Sequence, residues 1–123
     1  AGCKCMRKVD SYSFEKDDEV SAPADKRAVA AAYADFFKNV DDIEFFTEPE
    51  NCFSNYWLNV VILKDKDAQI DFLQQTNDNK VMTRPIWELM NRLLMFEKCE
   101  NDGLKNTIWF ADRVVNIPSS VRL

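Results

Sequence analysis

A chain of 123 residues with 46% hydrophobic and 12% aromatic positions has material for one buried core and too little length for two. Its formal charge of −5, with 16 Lys and Arg scattered among 21 Asp and Glu, argues against nucleic acid as a partner, and no apolar run approaches the ~20 residues of a membrane span. Two glycines cannot build a dinucleotide fingerprint or a phosphate loop, and the lack of histidine removes the commonest general base and zinc ligand, so the expectation is a cytoplasmic protein with no complete catalytic site of its own.

Residues 1–20 carry Lys4, Arg7 and Lys8, then Glu15, Asp17, Asp18 and Glu19, with no helical or strand period. They read as a tail or arm ahead of a single domain over residues 21–123. From Pro23 the pattern changes: Val29, Ala32, Tyr33, Phe36, Phe37 and Val40 recur on one face of a helix, with Ser21 as its cap, Pro23 in its first turn and Asp41 and Asp42 at its end. A short strand is predicted at 43–46, before the turn cluster Glu48, Pro49, Glu50 and Asn51. Residues 56–63 are almost wholly apolar, rich in β-branched side chains and interrupted by Asn59 alone, as expected of a central strand covered on both faces. Asp65 is placed to cap a helix reaching about Gln75, with Ala68, Ile70, Phe72 and Leu73 at helical separations, and Asn77, Asp78 and Asn79 stop it. Another strand is expected at 81–84, ended by Pro85. Ile86, Leu89, Met90, Leu93 and Leu94 then keep a helical period up to the turn at Asn101, Asp102 and Gly103. Leu104, Ile108 and Ala111 suggest a last helix that runs into a strand at 114–117. This order predicts an α+β fold, an α/β two-layer arrangement with helices on one face of a small sheet.

The four cysteines, Cys3, Cys5, Cys52 and Cys99, lack the two-by-two spacing of a zinc ribbon, so no metal site is expected. Cys52, Cys99, Met90 and Met95 read as packing residues. Asp17 with Asp18 and Asp41 with Asp42 lack the spacing of a calcium loop. Asn59, an amide inside an apolar strand, needs hydrogen-bond partners or must face a ligand or interface. Arg84, fixed by the proline after it and close to Trp87, suits a phosphate or carboxylate, or equally a surface ion pair.

Three segments in this order, Ser54 to Asn59 (SNYWLN), Thr83 to Trp87 (TRPIW) and Val115 to Ser120 (VNIPSS), resemble the C-terminal region of the DegT/DnrJ/StrS-type aminotransferases, which act on nucleotide-linked keto-sugars with pyridoxal phosphate. The resemblance runs over about residues 25–123, includes Lys26, Arg27 and Tyr33 on the first helix, and leans toward the branch that handles UDP-sugars. It implies the small, mostly antiparallel sheet of the C-terminal domain of fold-type I aminotransferases. It also implies that Asn55, Tyr56, Arg84 and Trp87 approach substrate in a complete enzyme. In that family a large N-terminal domain supplies the Schiff-base lysine and the aspartate for the pyridine nitrogen, so this chain is expected to carry no catalytic residue and no cofactor. Lys38, Lys64, Lys66 and Lys80 all read as solvent-facing, whereas an imine-forming amine needs a desolvated site.

Residues 1–20 depart from the family, which suggests a truncated or recombined gene product, or an excised piece. The leading expectation is a stand-alone domain, inactive by itself, that associates as a homodimer through apolar surface. The alternatives are the substrate-side half of a split aminotransferase, completed by a separate large-domain partner, and a module that binds a sugar-nucleotide or other anion through Arg84.

Overall fold

The computed structural model of the protein describes residues 21–121, with the backbone alone for 21–24. The arm read at 1–20, Cys3, Cys5 and the capping side chain of Ser21 lie outside the described residues. Helix α1 spans Ser21–Phe37, followed by β1 (Ile43–Phe45), β2 (Asn59–Leu63), α2 (Lys66–Asp78), β3 (Arg84–Pro85), α3 (Lys105–Ala111) and β4 (Val114–Ile117). The strands form one sheet in the order β1-β2-β4-β3, every neighbouring pair antiparallel. The fold is therefore the small α+β arrangement expected, with β2 and β4 as the inner strands.

Alternation along the strands decides what lies inside. Phe45, Val61, Leu63, Val115 and Ile117 point to one face and, with Ala30, make the core cluster; Tyr33, Ala34 and Phe37 of α1 and Ala68, Phe72 and Leu73 of α2 pack against it. Paired residues share a face, so Glu44, Val60, Ile62, Asn116 and Arg84 belong to the opposite one. Among the described residues no layer comparable to α1 and α2 lies on that face, although Val114, which pairs with Ile62, is buried on it. Val60 and Ile62 are half-buried, so the described residues cover β2 fully on one side only, not on both as its composition suggested. The strand also begins at Asn59 rather than 56, because Tyr56 takes a positive φ of 46° in the turn that precedes it.

The buried stripe of α1 is Ala30, Tyr33, Ala34 and Phe37, shifted from the stripe expected through Ala32 and Phe36. Small side chains at 30 and 34 let the helix come close to the sheet, while Phe36 stays 65% exposed and meets Phe37 edge-on. Tyr33 donates its hydroxyl to the Pro118 carbonyl at 2.9 Å and Lys26 donates to the Ser119 carbonyl, so α1 also fastens the chain that leaves β4. Helix α2 starts as expected, Asp65 Oδ1 accepting from the Ala68 N–H at 2.8 Å, and runs three residues beyond Gln75. Its buried Gln69 donates to the carbonyls of Ala111 and Val114 at 2.9 and 2.8 Å and accepts from Lys66, which satisfies the amide and ties α3 to the start of β4.

Between β3 and α3 the expected helix does not form. Only two 3-10 turns, Met90–Arg92 and Leu94–Phe96, occur there, separated by Leu93 in extended backbone. A short helix owes its stability to what its apolar face buries, and here Leu94 and Met95 are 92% and 77% exposed. Met90 and Met95 are therefore surface residues, not core, and Cys99 is exposed, with Cys52 half-buried. The strand expected at 81–84 is also displaced to Arg84–Pro85, an edge position where proline's missing N–H costs no ladder bond. No helix among the described residues is long and apolar enough to cross a membrane.

Candidate functional site

Arg84 is positioned from two directions. At the end of α2 the Thr76 and Thr83 hydroxyls meet at 2.5 Å, and Asn77 Nδ2 donates to Thr83 Oγ1 and to the Thr83 carbonyl at 2.9 and 3.1 Å. Thr83 is buried by this clamp, so β3 leaves α2 in one direction. From β4, Asn116 Nδ2 donates to the Pro85 carbonyl at 3.1 Å and lies opposite Arg84 in the ladder. The guanidinium itself stays exposed, touching Met82 Sδ at 3.2 Å, and no carboxylate lies within 4.0 Å of it among the described residues.

The facing wall comes from the turn before β2. Ser54 Oγ accepts from the Tyr56 N–H at 3.0 Å and Asn55 Oδ1 from the Trp57 N–H at 3.0 Å, two local side-chain turns that throw Trp57 outward. Trp57, Leu58, Arg84, Pro85, Ile86, Trp87 and Asn116 line a groove of about 510 Å³. Of the four residues expected near substrate, Arg84 and Trp87 thus share this groove. Asn55 stands behind it as a turn former, and Tyr56 turns away toward the core, its hydroxyl accepting from the Glu48 N–H at 3.1 Å. Trp57, Leu58 and Asn116 belong to the motif segments SNYWLN and VNIPSS but are not among the residues expected near substrate. The signal for Asn116 is its ladder pairing with Arg84, which no local window contains.

A charged knot holds the same turn from below. Arg27 of α1 pairs with both oxygens of Glu48, at 2.5 and 3.0 Å, and donates to the Ser54 carbonyl at 2.6 Å, while Ser54 N–H donates to Glu48 Oε2 at 2.6 Å. The guanidinium also lies 4.4 Å from the Phe53 ring centre. The hydrogen bonds from Arg27 and then from the Ser54 N–H pull the Glu48 carboxyl down to about 2, and the bond to Glu48 in turn raises Arg27. Burial raises the Tyr33 phenol.

No curated protein matches the sequence. The family model of the DegT/DnrJ/EryC1/StrS aminotransferases matches residues 14–123. The chain belongs to that family. In fold it is similar to the aminotransferase TlmJ from Streptoalloteichus hindustanus, with a TM-score of 0.69 at 16% identity over 78% of this chain and 26% of that one. It is likewise similar to the sugar aminotransferase CalS13 from Micromonospora echinospora, with a TM-score of 0.68 at 20% identity over 83% of this chain and 27% of that one. The chain thus spans about a quarter of the length of each. Among the described residues the lysines are exposed or already engaged, which does not suit the imine that pyridoxal phosphate forms. Lys38, Lys64, Lys66, Lys80, Lys98 and Lys105 are exposed, and half-buried Lys26 is engaged with the Ser119 carbonyl. An amine that must be neutral to form an imine needs a dry pocket, and none of these residues fits that requirement.

Proposed function

We propose that this chain is a small-domain module of the sugar aminotransferase family that performs no transamination by itself and persists by associating with a second copy. The observation that carries the reading is the face of the sheet that α1 and α2 leave uncovered. Val60 and Ile62 are half-buried there, exposed Trp57 and Trp87 stand beside them, and apolar surface of this kind tends to be buried in an interface. The positions of the described lysines support the absence of chemistry. Pyridoxal phosphate mixed with the purified chain is expected to keep the spectrum of the free aldehyde, and borohydride to fix no pyridoxyl group; a stoichiometric adduct on one lysine would overturn the reading. Sedimentation at micromolar concentration is expected to show a dimer.

A second reading is favoured by Arg84, whose guanidinium has apolar walls and no carboxylate within 4.0 Å among the described residues. In it the chain is the substrate-side half of a split nucleotide-sugar aminotransferase, or an anion binder, with Arg84 and Trp87 approaching the ligand. Saturable binding of UDP-sugars that Arg84→Ala abolishes would support this reading over the first, and so would transamination that appears only when a lysine-bearing large domain is added.

A further inference from the structure

The two edges of the sheet carry opposite charges on one face. Glu44 of β1 lies opposite Ile62, and Arg84 of β3 lies opposite Asn116, so both belong to the face turned away from α1 and α2. Half-buried Val60 and Ile62 of β2 lie between them, beside Asn116 and the buried Val114 of β4. Trp57 and Trp87 border the Arg84 side, and Trp109 lines a recess with Glu44 and Ile62 on the other. Neither Glu44 nor Arg84 has an opposite charge within 4.0 Å among the described residues.

Such a face is complementary to itself in one orientation. With strand order β1-β2-β4-β3, a twofold axis parallel to the strands, lying midway between two facing sheets, sets β1 of one copy over β3 of the other. Glu44 then meets the Arg84 of the second copy, twice, with the apolar strip between. An in-plane axis across the strands would stack β1 on β1 and set like charges together. The first orientation also keeps the strands aligned, as in packed sheets separated by ~10 Å. Glu44 sits in the row of Ile62 and Arg84 in the row of Val60, two residues or ~7 Å along the strand, an offset within reach of an extended arginine.

We infer that this face is the interface of a twofold dimer of the chain, held by reciprocal Glu44 to Arg84 pairs around an apolar centre. The inference rests on the self-association proposed above and specifies its surface.

Sedimentation equilibrium of the full chain tests it. Glu44→Arg and Arg84→Glu should each raise the dimer dissociation constant by about tenfold or more, since each sets like charges together at both contacts. An equimolar mixture of the two single variants should associate again, because every mixed dimer has opposite charges at both contacts. This recovery is read within the mixture, so it also shows that both variants are folded. Single variants that dimerise like the parent, or a mixture that associates no better than either variant alone, would overturn this surface and leave self-association standing. A parent chain that stays monomeric at micromolar concentrations would overturn both.

Discussion

Glu48 shows how much a single carboxylate organises. Its two oxygens receive Arg27 and the Ser54 N–H, and its own N–H donates to Tyr56, so the segment between β1 and β2 is bound to α1 through one side chain. Its carboxyl titrates at about 2 in the fold against 4.5 when free, so between those values the unfolded chain takes up a proton that the folded chain refuses. The stabilisation is complete above pH 4.5 and is lost as the pH falls toward 2. Urea midpoints measured down that range should drop for the parent, and the drop should be shallower for Glu48→Gln. Asn59 is the converse case. It is 1% exposed, its N–H is satisfied by Ser119 Oγ at 2.7 Å, yet neither atom of its amide meets a partner among the described residues. An unpaired buried polar group costs about 1–3 kcal/mol, so Asn59→Leu should raise the unfolding free energy by an amount of that order. A variant less stable than the parent would mean that the amide is bonded in solution.

At the scale of elements, local signals succeeded where the residue that starts or stops an element also makes its bond. Asp65 caps α2 with its own side chain, and Asp65→Ala should cost about 1 kcal/mol in urea unfolding, with the m-value unchanged. The same confidence in periodicity misplaced the segment after β3. Ile86, Leu89, Met90, Leu93 and Leu94 keep helical spacing, but spacing says only that a face could be apolar, and of the five only Leu89 is buried while Met90 and Leu94 stay exposed. The stripe of α1 moved for a related reason. Alanines at 30 and 34 weigh little on a hydrophobicity scale, yet close packing on the sheet favours them over the larger Phe36. The motif residues likewise act within elements first: Thr83 clamps β3 to α2, Asn116 holds the carbonyl of Pro85, and the Pro118 and Ser119 carbonyls bind α1.

For the whole molecule, the three tryptophans provide an optical test of association, because Trp57, Trp87 and Trp109 are 65, 72 and 45% exposed in the single chain. If the open face closes on a second copy, their emission should shift to the blue and acrylamide quenching should weaken as concentration rises through the dissociation constant. Unchanged spectra across a dimerising range would place the contact elsewhere. The sequence by itself determined the fold class, most helices and inner strands, the family and the exposure of Lys38, Lys64, Lys66 and Lys80, because alternation, helical period, caps and short motifs are written within a few residues of one another. Tertiary structure alone decided that Arg84 and Trp87 share a groove with Trp57 and Asn116, that Tyr56 faces Glu48, and that α1 and α2 pack on the same side of the sheet. Those relations come from strand order and register between segments tens of residues apart, where pairing energy, not local preference, selects the neighbour.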